Sequence, residues 1–270
     1  MCGRYTSVTS VAALARFFAV DEVVTGDVGL RHNVAPTQDV PAVAEASGGR
    51  RLGQMRWGLV PPGARDPGVG SRMINARAET VSNKPAFRRA FEHRRCLIPA
   101  DGFYEWQARG DGAVKQPWYI RHRDGTPMAF AGLWERWRPG PHRHDGVGHV
   151  VSCTIVTTSA NRALAPVHHR MPVVLAPACW EAWLDLANHD TAALRSLLAP
   201  APDELFERVR VRTLVNSVAN DGPGLVEPLD SVQLDAMDEG ARQGTIGEGP
   251  SPRMGARGAS SDPGGVPTHG

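Results

Sequence analysis

The feature that most constrains the fold of this chain is the frequency with which its apolar runs are broken. Short stretches rich in Val, Ile, Phe, Tyr and Trp are cut every few residues by Gly, Pro, Asp or Asn. That pattern suits strands of period two more than long helices. Strands are expected at Val40 to Glu45 and Arg51 to Trp57, joined by a turn around Gly48-Gly49. Others are expected at Arg95 to Pro99, Phe103 to Gln107, Trp118 to His122, Met128 to Trp134, His149 to Thr157, Met171 to Leu175 and Glu207 to Leu214. Helices are fewer: one from Val11 behind the Thr9-Ser10 cap, one over Ala86 to Glu92, one from Pro177 to Leu186 and one over Thr191 to Leu198. The segment Arg31 to Gln38 reads as irregular. Many short strands with flanking helices predict an α+β fold with an antiparallel, barrel-like β core.

Composition sharpens the domain reading. The 270 residues carry a formal net charge of only +2, so bulk charge argues neither for nor against nucleic acid. Lys84 and Lys115 are the only lysines among 30 cationic residues, and arginine suits bidentate phosphate contacts better, although a compositional bias explains the same fact. By about Met237 the chain turns to Gly, Ser, Pro and Arg with almost no apolar residues. The expected organisation is one domain over 2–232 and a disordered tail over 233–270.

The four cysteines Cys2, Cys96, Cys153 and Cys179 are scattered, with no C-x-x-C pair. His142, His144 and His149 fall in a Gly/Pro/His-rich stretch without nearby Cys or carboxylate clusters. No metal and no other cofactor is expected. The chain shows no signal-like leader and no bilayer-length apolar run, so a cytoplasmic protein with reduced thiols, no membrane partner and a monomeric state is the expectation.

Cys2 carries the most distinctive chemistry. If Met1 is removed, Cys2 presents an α-amine and a thiol on adjacent carbons, with reference pKa values near 7.7–8.0 and 8.5. The amine can condense with an aldehyde to a Schiff base, and the thiol can then close on the imine to give a thiazolidine. A small buried cysteine of no chemical consequence is the plainer alternative from position alone.

Six separated motifs occur in order: Met1-Cys2-Gly3-Arg4-Tyr5, Asn33-Val34-Ala35-Pro36-Thr37, Trp57-Gly58-Leu59-Val60-Pro61, Ile74-Asn75-Ala76-Arg77-Ala78-Glu79-Thr80, Cys96 through Trp106, and His168-His169-Arg170-Met171-Pro172. Together they resemble the SOS-response-associated peptidase (SRAP) family, the abasic-site shield proteins, over roughly residues 2 to 230. The resemblance implies a sensor of abasic sites in single-stranded DNA that bonds to the ring-opened sugar aldehyde through its N-terminal cysteine. It also implies thiol autopeptidase chemistry at that cysteine.

By the same resemblance Cys2 is the nucleophile, Asn75 holds the terminal amine and the sugar, and Glu105 is the acid/base residue. His168 opens the sugar ring, with His169 a bystander. Arg4 and Arg77 match arginines that contact the DNA backbone, and Asn33 and Thr157 look like parts of the same pocket. Bottom-up, Glu105 among Phe103, Tyr104 and Trp106 would have a raised pKa if buried; on a solvent face it would be an ordinary glutamate. The family's tryptophan after Trp-Gly-Leu-Val-Pro is missing, since Pro62-Gly63-Ala64-Arg65 stands there. Base–aromatic stacking is worth about 1–3 kcal/mol per base, so strand affinity is the property this departure touches. The arginines Arg208, Arg210 and Arg212, and the pairs Arg88-Arg89 and Arg94-Arg95, could extend a phosphate track. Two alternatives stay open: a cysteine hydrolase using Cys2 with His168, and a noncovalent single-strand binding module.

Overall fold

The structure is a computed structural model in which residues 2–26, 28–110, 114–139 and 148–230 are described. The tail expected over 233–270, and His142 and His144, lie outside the described residues.

The first half of the chain runs β1 (Arg4–Ser7), α1 (Val11–Phe17), β2 (Glu22–Val23), β3 (Arg31–Val34), β4 (Asp39–Ala46), β5 (Gly49–Trp57), β6 (Asn75–Arg77), α2 (Pro85–His93), β7 (Arg95–Ala100) and β8 (Gly102–Gln107). The second half runs β9 (Gln116–His122), β10 (Met128–Trp137), β11 (Val150–Ser159), β12 (Arg170–Pro172), α3 (Trp180–Leu184), α4 (Thr191–Ser196) and β13 (Phe206–Arg210).

Two sheets form. In the larger, β11, β10, β7, β4 and β5 are neighbours in turn, and β5 pairs back onto β11 in parallel, so these five strands close a ring. Every other pairing around that ring is antiparallel. Closure removes the exposed edges that an open sheet would leave. The smaller sheet has the order β13-β9-β8-β1-β3. The fold is therefore α+β with a barrel-like β core.

Side-chain alternation divides the interior. Val43, Leu52, Leu97, Ala131 and Leu133 pack with Leu14, Phe91, Trp183 and Leu194, which brings α1, α2, α3 and α4 onto one face of the ring strands. Ala42, Met55, Trp57, Ile98, Phe130 and Ile155 pack with Tyr5, Val34, Phe103 and Ile120 of the second sheet. Cys2 lies in this second cluster and is fully buried. A third, smaller cluster, Tyr104, Tyr119, Val211 and Val215, covers the other face of the second sheet.

Gly102 is required where it stands. A Cβ there would lie 2.3 Å from the Tyr119 ring, whose hydroxyl bonds Thr6 Oγ1 at 3.0 Å. Asp101 and Gly102 carry the chain from the ring to the second sheet, because β7 pairs with β4 and β10 while β8 pairs with β1 and β9.

Other expectations change for identifiable reasons. Arg31 to Val34 is a strand, since β1 pairs with it and the Tyr104 hydroxyl donates to His32 O at 2.8 Å. The helix expected over 177–186 is a 3₁₀ turn at Pro177–Cys179 followed by the short α3. Arg95, offered with Arg94 for a phosphate track, is buried and donates to the carbonyls of Trp183, Asp185 and Asn188, fixing the end of that helix. Arg94 pairs with the buried Glu135. Neither is available to a phosphate track.

Candidate functional site

Strand β11 assembles one half of the site. Its first residues pair with β5, and its later residues pair in parallel with β6, setting Ile155 beside Asn75 and Thr157 beside Arg77. The same end of β11 pairs with β12, which follows directly on His168 and His169. One strand therefore gathers three motifs far apart in sequence. Ala76 turns into the helix-covered cluster, so Asn75 and Arg77 share the opposite face.

Strands β1 and β8 assemble the other half. Arg4 lies opposite Tyr104 and Tyr5 opposite Phe103. Glu105 shares the Phe103 face of β8, turned into the cluster that holds Cys2, and only 4 % of it is exposed. Tyr104 and Trp106 take the other face and are covered as well. Of the two environments the sequence leaves open for Glu105, the structure has the buried one: the alternation of β8 sets it on the face opposite Tyr104 and Trp106, and that face is interior.

The two halves meet at Cys2. Asn75 Nδ2 donates to the Cys2 carbonyl at 2.8 Å, while Asn75 Oδ1 is buried with no hydrogen-bond partner among the described residues. A buried acceptor of that kind is costly unless something else satisfies it.

Electrostatics follow from burial. Desolvation raises the Glu105 carboxyl to about 7, against the pull of the positive chain terminus. Burial also pushes the Cys2 thiol well up, and the Glu105 carboxylate adds to this, so the thiol stays protonated. His168 moves the other way. Burial and then the same positive terminus lower it, leaving a neutral imidazole near pH 7. His168 Nδ1 lies 3.0 Å from the Arg170 backbone nitrogen and 3.1 Å from the Arg170 carbonyl oxygen, and these two contacts orient the ring. His169 is exposed and stacks on His168 with centroids 4.3 Å apart.

The remaining expected contacts divide. Arg77 is exposed beside this site. Thr157 is fully buried; its carbonyl accepts from Arg170 Nη2 at 2.6 Å and from Ala78 N at 2.9 Å. Arg4 and Asn33 act together elsewhere. Arg4 Nη1 donates to Asn33 Oδ1 at 2.9 Å and to Val215 O at 2.8 Å. Asn33 Nδ2 donates to the carbonyls of Ser217 at 2.9 Å and Asn220 at 2.8 Å. Asn33 is buried, and its amide holds the 215–220 segment against the second sheet.

Sequence reasoning missed the Arg170–Glu79 pair. Arg170 makes two bonds to the Glu79 carboxylate, at 2.6 and 3.0 Å, which also holds that carboxyl below its ordinary range. The pair joins the His168 and Asn75 motifs. Both residues sit inside motifs already singled out, so the signal was present, but no spacing rule connects positions 79 and 170. Among the described residues no group of three or more His, Cys, Asp or Glu side chains could hold a metal ion, and no helix is long and apolar enough to cross a membrane.

Comparison with known proteins adds an independent line. A family model described as SOS response associated peptidase (SRAP) matches residues 1–218. The abasic site processing protein YoqW of Bacillus subtilis is 40% identical over 228 residues, which are 84% of this chain and 99% of that protein. The abasic site processing protein HMCES of Gallus gallus is 34% identical over 204 residues, 67% of this chain and 58% of that one. A crystal structure of a Bacteroides thetaiotaomicron protein shares the fold with a TM-score of 0.73 at 24% identity, over 85% of this chain and all of that one.

Proposed function

Because the chain belongs to the SOS response associated peptidase (SRAP) family, we propose that it processes abasic sites in DNA, bonding covalently to the lesion in single strands through Cys2. One observation carries this reading: Asn75 grips the Cys2 carbonyl while Glu105, raised to about 7, is buried on the same side of the second sheet.

The order of steps follows from the protonation states. Removal of Met1 exposes the Cys2 amine. Glu105, poised near neutrality, takes the amine's proton, and the amine attacks the C1′ aldehyde of the opened sugar. Loss of water gives the imine. The Cys2 thiol then adds to the imine carbon; the C–S bond forms, the S–H proton passes to nitrogen and a thiazolidine results. The thiol is held protonated by burial, so it brings with it the proton that passes to nitrogen in this step. Neutral His168 offers a ring N–H as hydrogen-bond donor to the sugar ring oxygen as the ring opens. Asn75 Oδ1 accepts from the amine or a sugar hydroxyl. Arg77 contacts the backbone beside the lesion.

The test is a denaturing gel of the protein with single-stranded DNA bearing one abasic site. A shifted band that needs both the lesion and Cys2 is the expected result. A protein with methionine removal confirmed by mass that gives no such band would leave only the fold resemblance standing. A residue placed ahead of Cys2 and not self-removed should abolish the band by capping the amine.

A further inference from the structure

One cross-strand row leads from Glu105 to the edge of the second sheet. Glu105 lies opposite Trp118 on β9, and Trp118 lies opposite Arg210 on β13. Opposed residues share a face, and strands are about 4.8 Å apart, so Arg210 stands roughly 10 Å from Glu105. Arg208, two residues back on β13, shares that face. β13 is the last strand of the sheet.

Both guanidiniums converge on one ring. Arg208 lies 5.2 Å and Arg210 5.3 Å from the Trp118 ring centroid. Stacking of this kind holds a planar guanidinium against the ring face. The ring itself is anchored: Trp118 Nε1 donates to Gln107 Oε1 at 3.0 Å, and Gln107 Nε2 donates to Pro166 O at 2.9 Å, two residues ahead of His168. Lys115, exposed near the start of β9, adds positive charge that acts on both Glu105 and His168. The acidic residue of this strand faces away, since Glu207 pairs with Arg121 at 3.0 Å on the opposite face. Arg208 is exposed, and among the described residues no carboxylate pairs with it.

The geometry points to a phosphate track, in which Arg208 and Arg210, held over Trp118, take the backbone phosphates of the single strand that leaves the bonded sugar toward the sheet edge. This rests on the DNA reading above and names which surface receives the flanking strand. Two ordered guanidiniums on one anchored ring form a surface that bends to no base sequence, as binding to any single strand requires.

The experiment compares the full chain with its Arg208→Ala/Arg210→Ala variant, using oligonucleotides with one central abasic site. Adduct formation is followed against protein concentration at several salt concentrations. Arg121→Ala, on the opposite face of the same sheet, controls for loss of charge alone. The double variant should need about tenfold more protein for half-maximal rate. Its maximal rate should be unchanged, and its log–log salt dependence shallower by about 1.4, from two contacts at about 0.7 each. An oligonucleotide with the lesion at one terminus, lacking the strand on the track side, should remove the difference. Unchanged half-saturation and salt slope in a folded variant, or an equal loss in Arg121→Ala, would overturn the track. If the wild type forms no adduct, the covalent reading fails while noncovalent binding of intact single strand still reads the track: a weaker, less salt-dependent double variant supports it, and equal binding ends it.

Discussion

The Asn75 side chain donates to the Cys2 carbonyl at 2.8 Å across 73 positions of sequence. This bond ties the start of the chain to β6, and β6 to the end of β11, so the residue with the unusual chemistry is held by the strand that also leads to His168. Replacing Asn75 with Ala should slow adduct formation by one to two orders of magnitude through loss of positioning. It should lower stability by only about 1 kcal/mol, since one buried bond is lost together with an unsatisfied acceptor. Adduct kinetics and thermal melting measure the two separately.

Glu105→Gln should separate chemistry from stability by pH. The folded carboxyl titrates near 7 because burial disfavours its charge, while the unfolded one titrates near 4.5. A raised carboxyl favours the fold at low pH, and that contribution is lost as pH rises through 7. Glutamine does not titrate, so the variant should match wild type near pH 4.5 and exceed it by on the order of 3 kcal/mol above pH 7. Denaturant unfolding of both proteins across pH checks this. Adduct formation at neutral pH should fall, with noncovalent DNA binding largely kept. An equal fall in both would end the acid/base assignment.

His168→Ala should be selective for the closed sugar. The imidazole is neutral at pH 7 because burial lowers it, and its ring is oriented by the Arg170 backbone. A role in ring opening predicts a loss of about a hundredfold with the natural abasic site. A small open-chain aldehyde, which has no ring to open, should react with the Cys2 amine at close to the wild-type rate. Mass spectrometry of the thiazolidine product distinguishes the two.

Asn33→Ala should behave as a folding defect. Its amide accepts from Arg4 and donates to carbonyls of the 215–220 segment. Loss of these bonds should destabilise by about 2–3 kcal/mol, and hydrogen exchange should rise first in residues 215–220. DNA affinity per folded molecule should hardly change.

Much of the strand pattern was legible because period-two alternation and Gly or Pro punctuation are local signals. β4 and β5, with the turn between them, fall where the sequence predicts, as do β9 to β11. Arg31 to Val34 was not legible, since its polar residues become a strand only by pairing with β1. The stop after α3 was likewise hidden, because the group that ends it is Arg95, from another element. At the site, the residue types were readable from their motifs, but their environments were not.

Sequence by itself determined the aminothiol potential of Cys2, the alternation that sets Glu105 against Tyr104 and Trp106, and the family to which the motifs point. Tertiary structure decided that the Glu105 face is interior, that Asn75 reaches Cys2, that Asn33 and Arg95 serve packing, and that Arg208 and Arg210 meet over Trp118. The division has one physical reason. Chemistry and periodicity belong to each residue and its neighbours in the chain, whereas desolvation and hydrogen-bond partnership depend on groups brought together only when two sheets close on each other.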